Sequence, residues 1–342
     1  MLAIETAGLT KRFKRLGGYR DLILYPWRSR DVVALRGVSL SVKEGELFGL
    51  LGQNGAGKTT LIRILCTTLL PSEGTAKVLG KDVLAEPRKV RRLIGLVQSE
   101  ERSFYWRLSG RQNLEFFAAL YHIPTDVART RINELLDRLD LREEALRPYN
   151  SLSTGTRQKF AIMRGLMTEP RVLFLDEPTR SLDPIAAEEV RRFIAERIVK
   201  ELGSTVILAT HSLDEAEQLC TRLGLIRDGQ IVSEGSPEEL RARLGRGLRC
   251  ELRLRPPSSA DLLSSIDQIP GVVSVSEELV SDECRVVVEL DHRPQALKDV
   301  LSVVLASGSD LVDLATHHPT LEEVYIDTLA TEAGTPDGEL SD

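Results

Sequence analysis

The sequence predicts an α/β domain with a largely parallel sheet over residues 1–240, followed by a small α+β domain over residues 246–330. In the first part, short continuous apolar runs alternate with longer helical patterns. After Gly245 the pattern changes, and the segment LRCELRLR (248–255) alternates apolar and polar residues strictly. A chain of 342 residues is long enough for two hydrophobic cores.

Four apolar runs predict strands that are buried on both faces, because they are too short for most helices and show no alternation. These runs are LFGLL (47–51), LIGLV (93–97), VLFL (172–175) and VILA (206–209). Between the second and third lies a mainly helical stretch, about residues 99–165, in which Ser109 and Thr125 are the expected N-caps. This stretch predicts a helical subdomain.

The basic and aromatic segment 14–31 precedes the strand-like VVALRGVSLSV (32–42) and is expected to form a loop or hairpin. In the second domain, strand patterns at 248–255, 272–276, 285–290 and 311–315 are separated by two helical patterns, which suggests a ferredoxin-like fold. Thr320 and Glu323 form a capping-box pattern that predicts a final helix. Residues 331–342 carry four acidic groups and no basic one, so we expect a disordered acidic tail.

Composition narrows the possible functions. The 45 basic and 51 acidic residues give a formal charge of −6, which argues against a protein that mainly binds nucleic acid. No apolar run reaches the ~18 residues of a transmembrane helix, and the N-terminus lacks a signal-peptide pattern, so we expect the chain to stay in the cytosol. The four cysteines are widely spaced and are expected to be buried apolar residues rather than a zinc cluster.

Residues 52–60 match the phosphate-binding pattern G-x-x-x-x-G-K-[ST] and lie between an apolar strand and a helical pattern. Glycines allow the backbone to turn successive N–H groups toward phosphate oxygens at a helix N-terminus. Lys58 is expected to reach the β- and γ-phosphates, and Thr59 to place its hydroxyl on Mg²⁺. The candidate nucleotide-binding residues of this loop are Gly52, Gln53, Asn54, Gly55, Ala56, Gly57, Lys58, Thr59 and Thr60.

Polar residues follow each of the other three apolar runs closely. Asp176 and Glu177 come directly after VLFL, where Asp176 would hold the metal and Glu177 would orient or deprotonate the attacking water. Gln98 and His211 follow the other two runs. Each could alone be a surface residue, but the carboxyl ends of parallel strands meet at one edge of a sheet, so together they predict a single site.

These motifs resemble those of the nucleotide-binding subunit of an ABC transporter over about residues 1–240. Gln98 matches the family's Q-loop, and His211 its switch histidine. The segment from Leu152 to Gln158 matches the signature, VLFLDEP the Walker B strand, and Ser181-Leu182-Asp183 the D-loop. The resemblance implies a P-loop NTPase fold of ABC type that binds ATP and Mg²⁺ and hydrolyses ATP in a head-to-tail dimer.

The resemblance also implies roles for further residues. Ser153 and Gly155 would contact the nucleotide held by the second ATPase subunit, Asp183 would contribute to the same site, and Gln98 would act on the metal. An aromatic ring lies under adenine in the family, and Phe13 occupies the matching position, with Tyr19 and Tyr25 as rivals. Thr154 and Thr156 depart from the usual LSGGQ signature, and Ser181 replaces the usual D-loop glycine. These departures affect the expected rate rather than the reaction type.

The C-terminal α+β domain and the ending Pro-Thr-Leu-Glu-Glu-Val-Tyr (319–325) resemble drug-resistance exporter ATPases of the daunorubicin type. That resemblance implies a separately encoded transmembrane permease and a position at the cytoplasmic side of the cell membrane. An importer ATPase with a sensing domain and a non-transport ABC ATPase stay open as alternatives, as do the cargo and the choice between homodimer and heterodimer. The aromatic cluster Ser103–Trp106 either contacts the membrane subunit or packs inside the helical subdomain.

Overall fold

The computed structural model describes residues 1–15, 30–98, 103–242, 248–255, 260–280, 283–291, 293, 295–317, 320 and 323. The chain divides into two compact units, Met1–Ser236 and Pro237–Asp342. Tyr19 and Tyr25, most of the predicted final helix and the acidic tail lie outside the described residues.

A six-stranded sheet forms the centre of the first unit, in the order β10-β9-β3-β8-β7-β6. All neighbouring strands are parallel except β10, which pairs antiparallel with β9. The four predicted apolar strands are confirmed as β3, β6, β7 and β8, and β3, β7 and β8 are buried along their whole length. The strands are β3 (Leu47–Leu51), β6 (Ile94–Gln98), β7 (Val172–Asp176), β8 (Thr205–Thr210), β9 (Arg222–Arg227) and β10 (Gln230–Gly235).

A second, antiparallel sheet has the order β2-β1-β4-β5. Its apolar side chains, such as Ile4 and Val78, share one core cluster with Phe48 and Phe174 of the central sheet. This packing of apolar faces holds the two sheets together. The strands are β1 (Leu2–Arg15), β2 (Arg30–Lys43), β4 (Glu73–Val78) and β5 (Lys81–Asp82).

The helices of this unit include the predicted helical stretch. Ser109 is confirmed as an N-cap with a full capping box, since Gln112 donates its N–H to the Ser109 hydroxyl and accepts from the Ser109 N–H. Thr125 is not an N-cap: Pro124, in an extended conformation, takes that position, and Thr125 becomes the first helical residue. The helices are α1 (Lys58–Leu65), α2 (Pro87–Arg91), α3 (Gly110–Leu120), α4 (Thr125–Arg138), α5 (Thr154–Leu166), α6 (Pro184–Phe193, continued as a π-helix over Ile194–Glu201) and α7 (Leu213–Leu219).

The second unit is built on an antiparallel sheet in the order β12-β13-β11-β14. A helix follows its first strand and another follows its third, which is the connectivity of a ferredoxin-like fold. Leu252, Val286, Ile266 and Val300 lie in its core, between the sheet and these helices. The elements are α8 (Pro237–Ala242), β11 (Arg249–Arg255), α9 (Ala260–Asp267), β12 (Val272–Val280), β13 (Glu283–Leu290), α10 (Ala296–Ala306) and β14 (Asp310–His317).

Two expectations about composition can be checked directly. All four cysteines are buried, as predicted. Within the described ranges, no helix has the length and apolar character that crossing a bilayer requires.

Candidate nucleotide-binding site

The loop between β3 and α1 has the backbone geometry of a phosphate cradle. Gly55 and Gly57 have φ angles of +86° and +112°, which L side chains rarely adopt. Gly57 is the N-cap of α1, and within the described residues this cap receives no side-chain hydrogen bond. Four other helices begin with a capping side chain, from Ser109, Ser153, Asp183 and Ser212. The first N–H groups of α1 therefore suit an acceptor such as phosphate.

Lys58 joins this loop to the end of β7. Its side chain is only 5% exposed. Its Nζ donates to the carbonyl oxygens of Gly52 at 2.5 Å and Gln53 at 3.1 Å. The same ammonium lies 3.3 Å from Oε1 of Glu177, whose side chain is also buried. Lys58 thus places a positive charge between the loop and the carboxylate that follows β7.

Asp176 and Thr59 bring two oxygen ligands together. The Thr59 hydroxyl donates to Oδ1 of Asp176 over 3.2 Å. Burial raises the pKa of Asp176, and the hydrogen bond from Thr59 opposes that rise. Gln98, at the end of β6, is the register partner of Asp176. A hydroxyl and a carboxylate fit Mg²⁺, which commonly takes few protein oxygens and completes its shell with water and phosphate.

Glu177 is held in an unusual backbone conformation, with φ of +55°. Its N–H donates to the carbonyl of Ala209 on β8 at 2.8 Å, which fixes the turn after β7 against the neighbouring strand. Its carboxylate is hydrogen-bonded to Nδ1 of His211. His211 follows β8 and is exposed. Glu177 is therefore placed between a buried ammonium and an exposed imidazole.

The signature segment forms the N-terminus of α5. The Ser153 hydroxyl accepts from the N–H of Thr156 at 3.1 Å, and the two hydroxyls lie 2.9 Å apart. Gly155 is buried against α6, since an added Cβ would lie 3.1 Å from Cβ of Ala186. Ser153 is exposed, so the cap presents its hydroxyl and first-turn N–H groups at the surface.

The D-loop leads into α6. The Asp183 carboxylate caps that helix by accepting from the N–H of Ala186 at 2.9 Å. Ser181 has a φ of +65°, the region that glycine enters freely, which explains the glycine that usually occupies this position. Phe13 lies on β1, is 40% exposed and has Lys11 Nζ 5.1 Å from its ring centroid. Phe13 is therefore not a core residue, and its ring has an exposed face for stacking.

The structure brings some predicted residues into direct contact. Lys58, Glu177 and His211 form one chain of contacts, and Thr59 and Asp176 form another. Within the described contacts, Phe13, Ser153 and Asp183 belong to neither chain.

Two residues beside these contacts, Glu215 and Thr179, were not predicted from the sequence. Glu215 on α7 is 1% exposed, and its Oε1 accepts from the Thr179 hydroxyl at 2.9 Å. Burial raises the pKa of Glu215, and the hydroxyls of Thr210 and Thr179 oppose that rise. The only sequence signal is the capping-box pattern from Ser212 to Glu215, which predicts a helix start and not a buried carboxylate.

Comparison with known proteins places these features in a family. Residues 35–180 match the family model for ABC transporters. The chain is 38% identical over 300 residues to the daunorubicin resistance ATP-binding protein DrrA3 of Streptomyces coeruleorubidus, covering 87% of this chain and 92% of that protein. It is 35% identical over 297 residues to the doxorubicin resistance ATP-binding protein DrrA of Mycobacterium tuberculosis, covering 86% and 88%.

Solved structures give the same result. The chain matches cbiO1 of Clostridium perfringens, part of the ABC transporter complex cbiONQ, with a TM-score of 0.60 and 30% identity over 71% of this chain and 92% of cbiO1. It matches the dimeric post-hydrolysis structure of the ATP-binding cassette MJ0796 with ADP and Pi, with a TM-score of 0.55 and 25% identity over 68% and 98%. The chain belongs to the ABC transporter ATP-binding family, as an ATPase of the drug-resistance type.

Proposed function

We propose that this chain is the energy-coupling subunit of a drug exporter, in which two ABC ATPase subunits close head to tail on Mg-ATP and drive a separately encoded membrane subunit. The observation that carries the proposal is the set of contacts that Lys58 and His211 make with Glu177, in a chain whose relatives are named for drug resistance. In this assignment the chain lies at the cytoplasmic side of the cell membrane, peripheral to the permease.

Each residue has a role that follows from its position. The N–H groups from Gly55 to Thr60 bind the phosphates, and Lys58 neutralises charge on the β- and γ-phosphates. Thr59, Asp176 and Gln98 would hold Mg²⁺, which would supply further positive charge for the phosphates. Glu177 orients the attacking water and His211 holds the Glu177 carboxylate in place.

In the proposed dimer, each subunit supplies contacts to the phosphates of the nucleotide that the other subunit binds. Ser153 is exposed at the N-terminus of α5, and the buried Gly155 belongs to the same first turn, where a hydroxyl and backbone N–H groups can contact the γ-phosphate bound by the partner. Phosphoryl transfer depends mainly on positioning and charge stabilisation, so closure of two subunits completes a site that each holds in part. A homodimer is workable because one chain carries all the motifs.

The aromatic cluster after Gln98 supports a contact with the membrane subunit. Phe104 is buried and stacks on Tyr149 with ring centroids 4.6 Å apart, so this part of the cluster packs inside the helical subdomain. Tyr105 and Trp106 are 51% and 59% exposed. The Arg157 guanidinium lies 5.1 Å from the Trp106 ring, and Arg157 belongs to α5. A partner bound at Trp106 would therefore act directly on the signature helix.

The proposal is tested with Glu177→Gln, which keeps the side-chain volume and removes the carboxylate needed for turnover. With Mg-ATP this variant should accumulate as a dimer in light scattering, and a pull-down from detergent-solubilised membranes of its own source should recover a multi-span membrane protein. Glu196→Gln, at an exposed glutamate, is the matched control and should stay monomeric. A folded Glu177→Gln protein that binds ATP yet stays monomeric would contradict the closure model. Recovery of ribosomes or nucleic acid alone would contradict the exporter assignment.

A further inference from the structure

A buried carboxylate outside the recognised motifs lies between the two loops that carry Glu177 and His211. Glu215 is the third residue of α7 and is almost completely enclosed. Acidic side chains are rarely fully buried unless they have a partner, because removing a carboxylate from water is costly. The Thr179 hydroxyl donates to Oε1 at 2.9 Å, and the Thr210 hydroxyl also acts on the carboxylate.

Thr179 is tied tightly to Glu177. It stands two residues further along the same turn, where the N–H of Arg180 donates to the Glu177 carbonyl at 3.1 Å. The N–H of Leu182 in turn donates to the Thr179 carbonyl at 3.2 Å. Because Glu177 and Thr179 share this hydrogen-bonded turn, a side-chain bond to Thr179 constrains the backbone that aims Glu177.

The backbone of Glu215 is tied to the loop that carries His211. Its N–H donates to the Ser212 hydroxyl at 3.3 Å, which caps α7. In a full capping box, the side chain of the third residue after the N-cap, here Glu215, would accept a hydrogen bond from the backbone N–H of the N-cap residue, here Ser212. Here the Ser212 N–H donates to the Thr210 hydroxyl at 3.0 Å instead, so Oε1 of Glu215 is available to Thr179.

We propose that Glu215 is a positioning residue for ATP hydrolysis, which fixes the loop of Glu177 relative to the loop of His211 through its hydrogen bond with Thr179. Glu215 does not touch the reacting groups. It sets the separation of two loops whose side chains meet at the Glu177 to His211 contact. The proposal requires ATP hydrolysis by this chain and does not depend on the exporter assignment.

If Glu215 has this role, breaking its contact with Thr179 should lower kcat much more than it weakens nucleotide binding. The ATP-binding loop Gly52–Thr60 lies on another strand end and makes none of the described contacts to Thr179 or Glu215. Loosening the Thr179 contact should therefore misplace Glu177, which touches the loop through Lys58, and leave the backbone N–H groups of the loop in place. A displacement of about 1 Å in a catalytic group can cost on the order of a hundredfold in rate.

The test measures kcat and KM for Mg-ATP with the full-length chain. Thr179→Val removes the hydroxyl at nearly constant volume and should lower kcat about tenfold or more, with KM changed less than about twofold. Thr179→Ser restores the hydroxyl and should recover most of the lost kcat. Thr130→Val removes a hydroxyl that bonds the Asp126 carbonyl on the exposed face of α4, and should leave both constants unchanged.

A double-mutant cycle assigns the effect to the Glu215 contact. If Thr179 acts through Glu215, Thr179→Val should have little further effect in a Glu215→Ala background, since neighbouring residues in one network are not additive. Wild-type kcat in Thr179→Val would overturn the proposal, and so would additive losses in the cycle. A parallel loss of kcat, ATP binding and thermal stability that Thr179→Ser fails to rescue would also overturn it, because that pattern is purely structural.

Discussion

Two glycines of the nucleotide-binding loop provide a matched test of how the cradle is built. Both have a positive φ, +86° at Gly55 and +112° at Gly57. Their surroundings differ: an added Cβ at Gly55 meets nothing within 4 Å, whereas at Gly57 it would lie 2.7 Å from the Ala34 carbonyl oxygen and 2.9 Å from Cδ2 of Leu35. Gly55→Ala therefore adds backbone strain alone, and Gly57→Ala adds strain and a clash with backbone.

The magnitudes follow from these contacts. A residue forced into a sparsely populated backbone region costs about 1–3 kcal/mol, which applies to both variants. Overpacking at Gly57 adds about 1–3 kcal/mol, because a carbonyl oxygen cannot move aside as a flexible side chain can. If the loop relaxes to escape this cost, apparent ATP affinity falls by the same factor, so Gly57→Ala should bind ATP about 5- to 150-fold more weakly than Gly55→Ala.

The assay is a titration of each variant with a fluorescent ATP analogue, beside thermal unfolding of the same samples. Gly45→Ala serves as the control, because Gly45 has a φ of +75°, open space around its Cβ position and a place outside the loop. It should lower stability and leave ATP affinity unchanged. Equal affinities for Gly55→Ala and Gly57→Ala would refute the reasoning, since the close approach of Gly57 to Ala34 would then have no energetic consequence.

Three further predictions concern the signature, the helical subdomain and the second unit. Thr156→Val should lower the ATPase kcat severalfold while Thr156→Ser retains it, because the Thr156 hydroxyl lies 2.9 Å from that of Ser153; steady-state kinetics measures both. Gly110→Ala should lower the free energy of unfolding by about 1–3 kcal/mol in denaturant titration, because its Cβ would lie 2.5 Å from the Phe160 ring. Burial raises the pKa of the Cys250 thiol to about 11 from 9.0. The unfolded chain therefore releases this proton at lower pH than the folded chain, so the contribution of Cys250 to the free energy of unfolding should be complete below pH 9 and be lost as pH rises through 11. Comparison with Cys250→Ala across that range isolates this contribution, and equal slopes for the two proteins would contradict the prediction.

The central sheet could be predicted because its strands are buried on both faces. The run 47–51 became β3 with the predicted bounds, and the runs at 172–175 and 206–209 were extended by one or two residues only. Such runs leave few alternatives, since a continuous apolar segment of this length must be covered on all sides. Asp176 and Glu177 could be placed for the same reason: they end a strand whose direction the sheet fixes.

The helix start at Thr125 could not be predicted correctly from residue type alone. Threonine is a frequent N-cap, but the preceding Pro124 has a fixed φ and already holds the extended conformation that the cap position needs. The pattern therefore had two solutions one residue apart, and backbone stiffness decided between them. The exposure of Phe13 could not be predicted either, because it depends on how far β4 runs beside β1: the β1–β4 register ends at Thr10, whereas Phe13 still pairs with Val32 of β2.

Glu215 shows why sequence motifs did not reveal every residue near the site. The residues at strand ends are recognisable because the sheet orders them along one edge, whereas Glu215 reaches the site from inside a helix and through a second side chain. The Ser212 N–H could donate to the Glu215 carboxylate or to the Thr210 hydroxyl, and it donates to Thr210. The spacing of residues in the sequence does not show which of the two accepts this hydrogen bond. A capping-box pattern therefore has two possible meanings: the glutamate closes the helix start, or another group does so and the glutamate becomes available for an adjacent loop. In this chain the second case connects the turn after β7 to the turn after β8, where the Glu177 and His211 side chains meet.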